Sequence, residues 1–178
     1  EHLNELTVRM DQSVRDADGY GARQKVILDP RAVSSVLRAM ALLQRRNPAI
    51  IKQYLGATKR LFTNQDFLMQ CRPAELANYL WFISMIHVYD DEVLAKLARR
   101  IIMTEVSESC NAKTASRILG TFTSILDSRR KQWVGTCEED PHQLHELVSV
   151  LFDQLAPRLS PSELSPAETS SAICAFAR

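Results

Sequence analysis

Between Pro73 and Met103 the apolar positions fall into two helical stripes separated by a polar break. Leu76, Tyr79, Leu80 and Ile83 keep the i, i+3, i+4, i+7 spacing of an amphipathic helix, and Pro73 has the fixed φ suited to its first position. His87 to Glu92 is polar, with Asp90 and Asp91 adjacent. Val93, Leu94, Leu97, Ile101 and Ile102 then mark one side of a second helix. Neither stripe can be buried by its own helix, so the pattern predicts a helical hairpin over residues 71–109 that packs against neighbours.

The first helix of this hairpin recurs four times when the copies are aligned on the residue before the helix. These cap positions are Asp29, Arg72, Asn111 and Ser165, and three of them carry side chains that accept a helix N–H. Proline follows at 30, 73 and 166, with Ala112 in the remaining copy, and Ser165 with Glu168 forms a capping box. Four residues past the cap stand Val33, Leu76, Ala115 and Thr169; eight past it, Leu37, Leu80, Leu119 and Ile173; eleven past it, Met40, Ile83, Phe122 and Phe176. Two further columns are small: Ser34, Ala77, Ser116 and Ser170, then Ala41, Ser84, Thr123 and Ala177. At about 100° per residue these columns share one flank of the helix, where small side chains let a neighbouring helix come close. The cap-to-cap spacings of 43, 39 and 54 residues lie in or just beyond the solenoid range.

The fold class predicted is all-α, an α-solenoid of about three full hairpin repeats with a partial one at each end. Residues 1–24 are expected to hold the end of a preceding repeat, with Leu3, Leu6 and Met10 on one helix side, and a linker. The solenoid proper spans 25–178, with repeats over about 25–70, 71–109 and 110–160 and a partial repeat over 161–178. Repeat one pairs the helix after Asp29 with a second helix from Ile50 to Phe62. Repeat three carries an insertion, and residues 129–140 are expected to form a loop between Leu126 and Leu144. The last repeat lacks its second helix, which leaves Ile173 and Phe176 uncovered. A longer chain or a protein partner is expected to cover them.

The bulk numbers narrow the class further. Hydrophobic residues make up 46% of the 178 residues, yet no apolar run approaches the ~20 needed to span a bilayer, so no membrane partner is expected. The four cysteines form no C-x-x-C pair, and Cys71 and Cys110 occupy the same place before a cap, which fits small buried residues. No P-loop, G-x-G-x-x-G, H-E-x-x-H or G-x-S-x-G occurs, so neither an enzyme nor a cofactor is expected. His142 and His145 stand three apart without a matching carboxylate or thiolate, so no metal site is expected.

Charge is shared unevenly although the total is only +1. Residues 25–70 contain eight Lys/Arg against two Asp, a net +6, whereas 1–24, 71–109 and 110–178 give −2, −2 and −1. The basic clusters Arg45 and Arg46, Lys59 and Arg60, Arg99 and Arg100, and Arg129, Arg130 and Lys131 are candidate phosphate contacts if they share a face. Solvated helix surface is the alternative for each. Six residues past each cap stand Ser35, Asn78, Arg117 and Ser171, polar in every copy yet different between copies. They are candidate base-facing residues, since RNA-reading repeat proteins place one or two side chains per repeat against each base. An ordinary solvated outer face is the competing explanation.

The helices RPAELANYLWFIS and SPAETSSAICAFAR resemble the Ala/Trp/Phe-Ala helix of octotricopeptide and heptatricopeptide repeat proteins, of the organellar RAP-domain and FAST-kinase-like group. The resemblance covers about residues 25–178; Trp81 matches the family tryptophan, while Arg38, Gly120 and Cys174 replace it elsewhere. It implies a mitochondrial, or plastid, protein that binds single-stranded or ribosomal RNA, in mitochondrial RNA metabolism or within a mitochondrial ribosome. The alternative is a non-catalytic protein–protein scaffold subunit of a large organellar complex, because other helical-hairpin solenoids use the same packing.

Overall fold

A computed structural model describes residues 29–44, 58–87, 89–132 and 142–177 of the chain. The described residues are all-α, and no strand occurs among them. No described helix is long and apolar enough to cross a membrane. The chain divides into two compact units, Glu1–Cys71 and Arg72–Arg178.

In the first unit, α1 (Pro30–Gln44) starts where the cap pattern places it. The Asp29 carboxylate accepts the Arg31 N–H at 3.1 Å, and its carbonyl accepts the Val33 N–H at 3.0 Å. Val33, Leu37 and Met40 are buried, together with the small residues Ser34 and Ala41. Of the expected second helix, residues 50–57 lie outside the described residues, while 58–63 are helical with Leu61 and Phe62 buried. Asn64 then breaks the chain direction and caps a short helix, α2 (Gln65–Gln70), its Oδ1 accepting the Phe67 N–H at 3.0 Å.

The second unit contains α3 (Pro73–Ile86), α4 (Asp91–Ile102), α5 (Thr104–Ser109), α6 (Ala112–Gln132), α7 (His142–Leu155) and α8 (Pro166–Phe176). Two 3₁₀ turns, Ala156–Arg158 and Pro161–Glu163, join α7 to α8. All three predicted helix starts in this unit hold, with side-chain caps at Asn111 and Ser165. The Glu75 carboxylate accepts the Arg72 N–H at 2.6 Å; Asn111 Oδ1 accepts the Thr114 N–H at 2.8 Å. Ser165 and Glu168 bond reciprocally, as the capping box requires. His87 ends α3 in the left-handed region, φ 52°, and Asp90 Oδ1 caps α4 by accepting the Val93 N–H.

First helices pack on first helices, α3 on α6 and α6 on α8, and the second helices α4 and α7 pack on each other. Leu76, Leu80, Ile83, Ala115, Leu119 and Phe122 are all buried, as their columns predict. In α8 the columns shift: Ala172 and Ala175 are buried, while Ile173 is 63% and Phe176 49% exposed.

Two features depart from the sequence pattern. The expected loop at 129–140 begins as helix, because α6 runs on to Gln132. Ser128 to Gln132 offers mostly good helix formers and no breaker, and an ion pair from Arg129 ties the extension to α4. Residues 133–141 lie outside the described residues.

The second departure is a short helix ahead of each of the Arg72 and Asn111 caps. α2 and α5 stand 39 residues apart in register, with Phe67 and Val106, Leu68 and Ser107, and Cys71 and Cys110 in matching buried places. Six residues are fewer than two turns, too short for a helical periodicity to register. Ahead of the Ser165 cap the two 3₁₀ turns stand in that place.

Candidate functional site

Hydrogen bonds and close approaches join equivalent places on successive first helices. Ser116, in the first small column, donates through Oγ to the Glu168 carbonyl at 3.0 Å, so the small residue brings α6 and α8 together. Gly120 does the same from the place that Trp81 holds in α3: a Cβ there would lie 2.5 Å from Ser171 Oγ. Arg117 Nη2 donates to Asn78 Oδ1 at 2.8 Å, across the interface of α3 and α6. Three of the four candidate base-facing residues thus stand at seams between first helices. Asn78 and Arg117 are half-buried, whereas Ser171 and Ser35 are exposed, and Ser35 Oγ donates to the Arg31 carbonyl at 3.0 Å.

The candidate phosphate contacts separate into two groups. Lys59, Arg60 and Arg99 are exposed. Arg100 is only 7% exposed; its Nη1 reaches Glu105 Oε1 at 2.5 Å and Met103 Sδ at 3.3 Å, which ties the end of α4 to α5. Arg129 forms a two-pronged pair with Asp91, at 2.6 and 2.8 Å, clamping α6 to the first turn of α4. Asp91 Oδ1 is buried and takes the ionic contact without an aligned hydrogen bond, so Arg129 is what compensates its charge. Arg45 and Arg46 lie outside the described residues, and Arg130 and Lys131 occupy the last turn of α6.

Electrostatics elsewhere serve the fold. The Glu168 carboxyl is held below the usual carboxylate range, first by the Ser165 N–H, then by its hydroxyl, with Lys113 3.6 Å away adding to the effect. Burial pushes the Cys110 thiol up to about 11, against the smaller opposing influence of Arg158, so it is a neutral, unreactive packing group. No group of three His, Cys, Asp or Glu able to hold a metal occurs among the described residues.

Two adjoining clefts open at the α8 end. One, of about 270 Å³, is floored by Leu126, Val148, Phe152, Ala175 and Phe176, with the Phe152 and Phe176 rings edge-on at 5.3 Å. The other, of about 350 Å³, is lined by hydroxyls of Thr123, Ser124, Ser128 and Ser171 with Asp127 and Cys174. Of the two side chains the sequence pattern leaves uncovered, Ile173 and Phe176, it is Phe176 that lines the apolar cleft. The Asn78–Arg117 bond was hidden in the sequence, although both residues share a column one period apart.

Searches among protein-family models, curated proteins and solved structures find no match to the chain.

Proposed function

We propose that the chain is a stretch of α-solenoid that binds single-stranded or ribosomal RNA through its basic segment, residues 25–70. The pairing of first helices with first helices and second with second supports the solenoid arrangement. One observation carries the RNA reading: the segment is net +6, with Asp29 and Asp66 as its sole acids, and Arg31, Arg38, Lys59 and Arg60 are exposed in it. Exposed cations on helices suit phosphate neutralisation, which is long-ranged and needs no fixed geometry. The resemblance to octotricopeptide-type repeats supports a mitochondrial setting, in RNA metabolism or a mitochondrial ribosome.

Filter binding of poly(U) across a salt series tests this. Replacing Arg45, Arg46, Lys59 and Arg60 with Gln is expected to weaken binding regardless of sequence. It is also expected to flatten log K against log[salt] by up to ~0.7 for each phosphate no longer neutralised. An unchanged slope sinks the RNA reading. A protein-scaffold role is then the one left, and it has its own support in the exposed Ile173 and Phe176.

A further inference from the structure

Two cations of the basic segment share one face of α1. Arg31, Ser35, Arg38 and Leu42 recur at i, i+4, i+7 and i+11, so at about 100° per residue they fall within about 60° of one another. All four are exposed, on the side opposite the buried Val33, Leu37 and Met40. The bonds of Arg31 are main-chain: its N–H donates to the Asp29 carboxylate, and its carbonyl accepts the Ser35 hydroxyl. Neither the Arg31 nor the Arg38 guanidinium pairs with an acid among the described residues. No acid stands on this stripe, and Ala32 and Ala39, exposed on its flank, add no bulk that would hold a ligand away.

We propose that a single strand of RNA lies along this stripe, with phosphates on Arg31 and Arg38 and an unstacked base against Leu42. The proposal rests on the RNA reading of the basic segment and gives it a face and a strandedness. Seven residues of helix set the two arginines about 10 Å apart along the axis, a gap that a flexible strand follows and two long side chains can bracket. Guanidinium groups are planar and weakly hydrated, so they give up water for phosphate oxygens more readily than ammonium groups do. Charge complementarity thus points to a polyanion, and Leu42, 55% exposed at the end of the stripe, points to a single strand. A duplex keeps its base faces stacked and would set the leucine against riboses and phosphates, whereas a single strand can lay an apolar base face on it.

Filter binding of poly(U) and of the duplex poly(A)·poly(U) to the full chain, each across a salt series, tests this. The parent chain is expected to prefer poly(U) at physiological salt. Arg31→Gln combined with Arg38→Gln is expected to flatten the poly(U) slope by up to ~1.4, two phosphates at ~0.7 each. Lys96→Gln with Lys113→Gln removes the same charge from cations paired with Glu92 and Glu168, and is expected to leave the slope unchanged. Leu42→Ser is expected to weaken poly(U) binding severalfold at an unchanged slope, because no charge is lost. The substituted α1 side chains are exposed, and thermal melts matching the parent verify that the variants fold. The proposal is overturned if the slope survives loss of both arginines, or if the Lys96 and Lys113 variant flattens it equally. It is also overturned if Leu42→Ser changes nothing or if the duplex binds as tightly as poly(U). In any of those cases a flattened slope for the Gln variants at Arg45, Arg46, Lys59 and Arg60 leaves the RNA reading standing on other residues. Parent binding without salt dependence ends both.

Discussion

Asn78 and Arg117 occupy the same place, six residues past the cap, on α3 and α6, 39 residues apart, and touch. A column that lies roughly opposite the apolar stripe on a helical wheel is, in the folded chain, partly a seam between neighbouring first helices. Both side chains being half-buried, the bond is expected to contribute to stability. A double-mutant cycle of Asn78→Ala and Arg117→Ala, followed by urea unfolding, is expected to give a coupling energy of about 0.5–1.5 kcal/mol. A value near zero means that the bond carries no stability.

Leu80 tests the packing of the first helices most directly. It is fully buried in the column shared by Leu37 and Leu119. Leu80→Ala is expected to cost about 2–5 kcal/mol, the range for a core leucine whose site cannot fully collapse. Lys113→Ala, which removes an exposed ion pair to Glu168, is expected to change the urea midpoint far less. Equal effects contradict the burial pattern.

Gly120 is set by the closeness of α8. An alanine there meets Ser171 Oγ, the end of a short side chain that can rotate away, and gains helix propensity of about 1 kcal/mol. The two effects offset, so Gly120→Ala is expected to be nearly neutral. Gly120→Leu cannot be accommodated by one rotation and is expected to cost about 1–3 kcal/mol, with α8 becoming susceptible to limited proteolysis. If Gly120→Leu is as stable and protease-resistant as the parent, α8 does not pack at this distance.

Glu168 gives a pH signature. Its folded pKa is depressed by the Ser165 N–H and hydroxyl, so ionised Glu168 contributes stability above its unfolded pKa. That contribution is lost as pH falls through the depressed folded value, on the acid side of the usual carboxylate range. Glu168→Gln is expected to flatten the acid limb of a stability–pH curve and to lower stability at neutral pH. Parallel acid limbs for parent and variant refute the assignment.

The sequence by itself determined where helices begin. Asp29, Arg72, Asn111 and Ser165 each precede a helix start, because capping and proline placement are local effects that one turn of chain satisfies. It likewise determined which columns of α1, α3 and α6 are buried, since a 3.6-residue period fixes one face. Helices α2 and α5 stayed unread because six residues carry too little period. The extension of α6 past Leu126 stayed unread because its stripe ends there and Arg129 is anchored by Asp91, 38 residues away. Only tertiary structure could assign the arginines: Arg99 and Arg100 are neighbours in a basic pair, yet one is exposed and the other buried against Glu105. Burial of a charge depends on which acid meets it, Glu105 from the next helix for Arg100 and Asp91 for Arg129, and that is decided by how helices pack rather than by the pattern along any one of them.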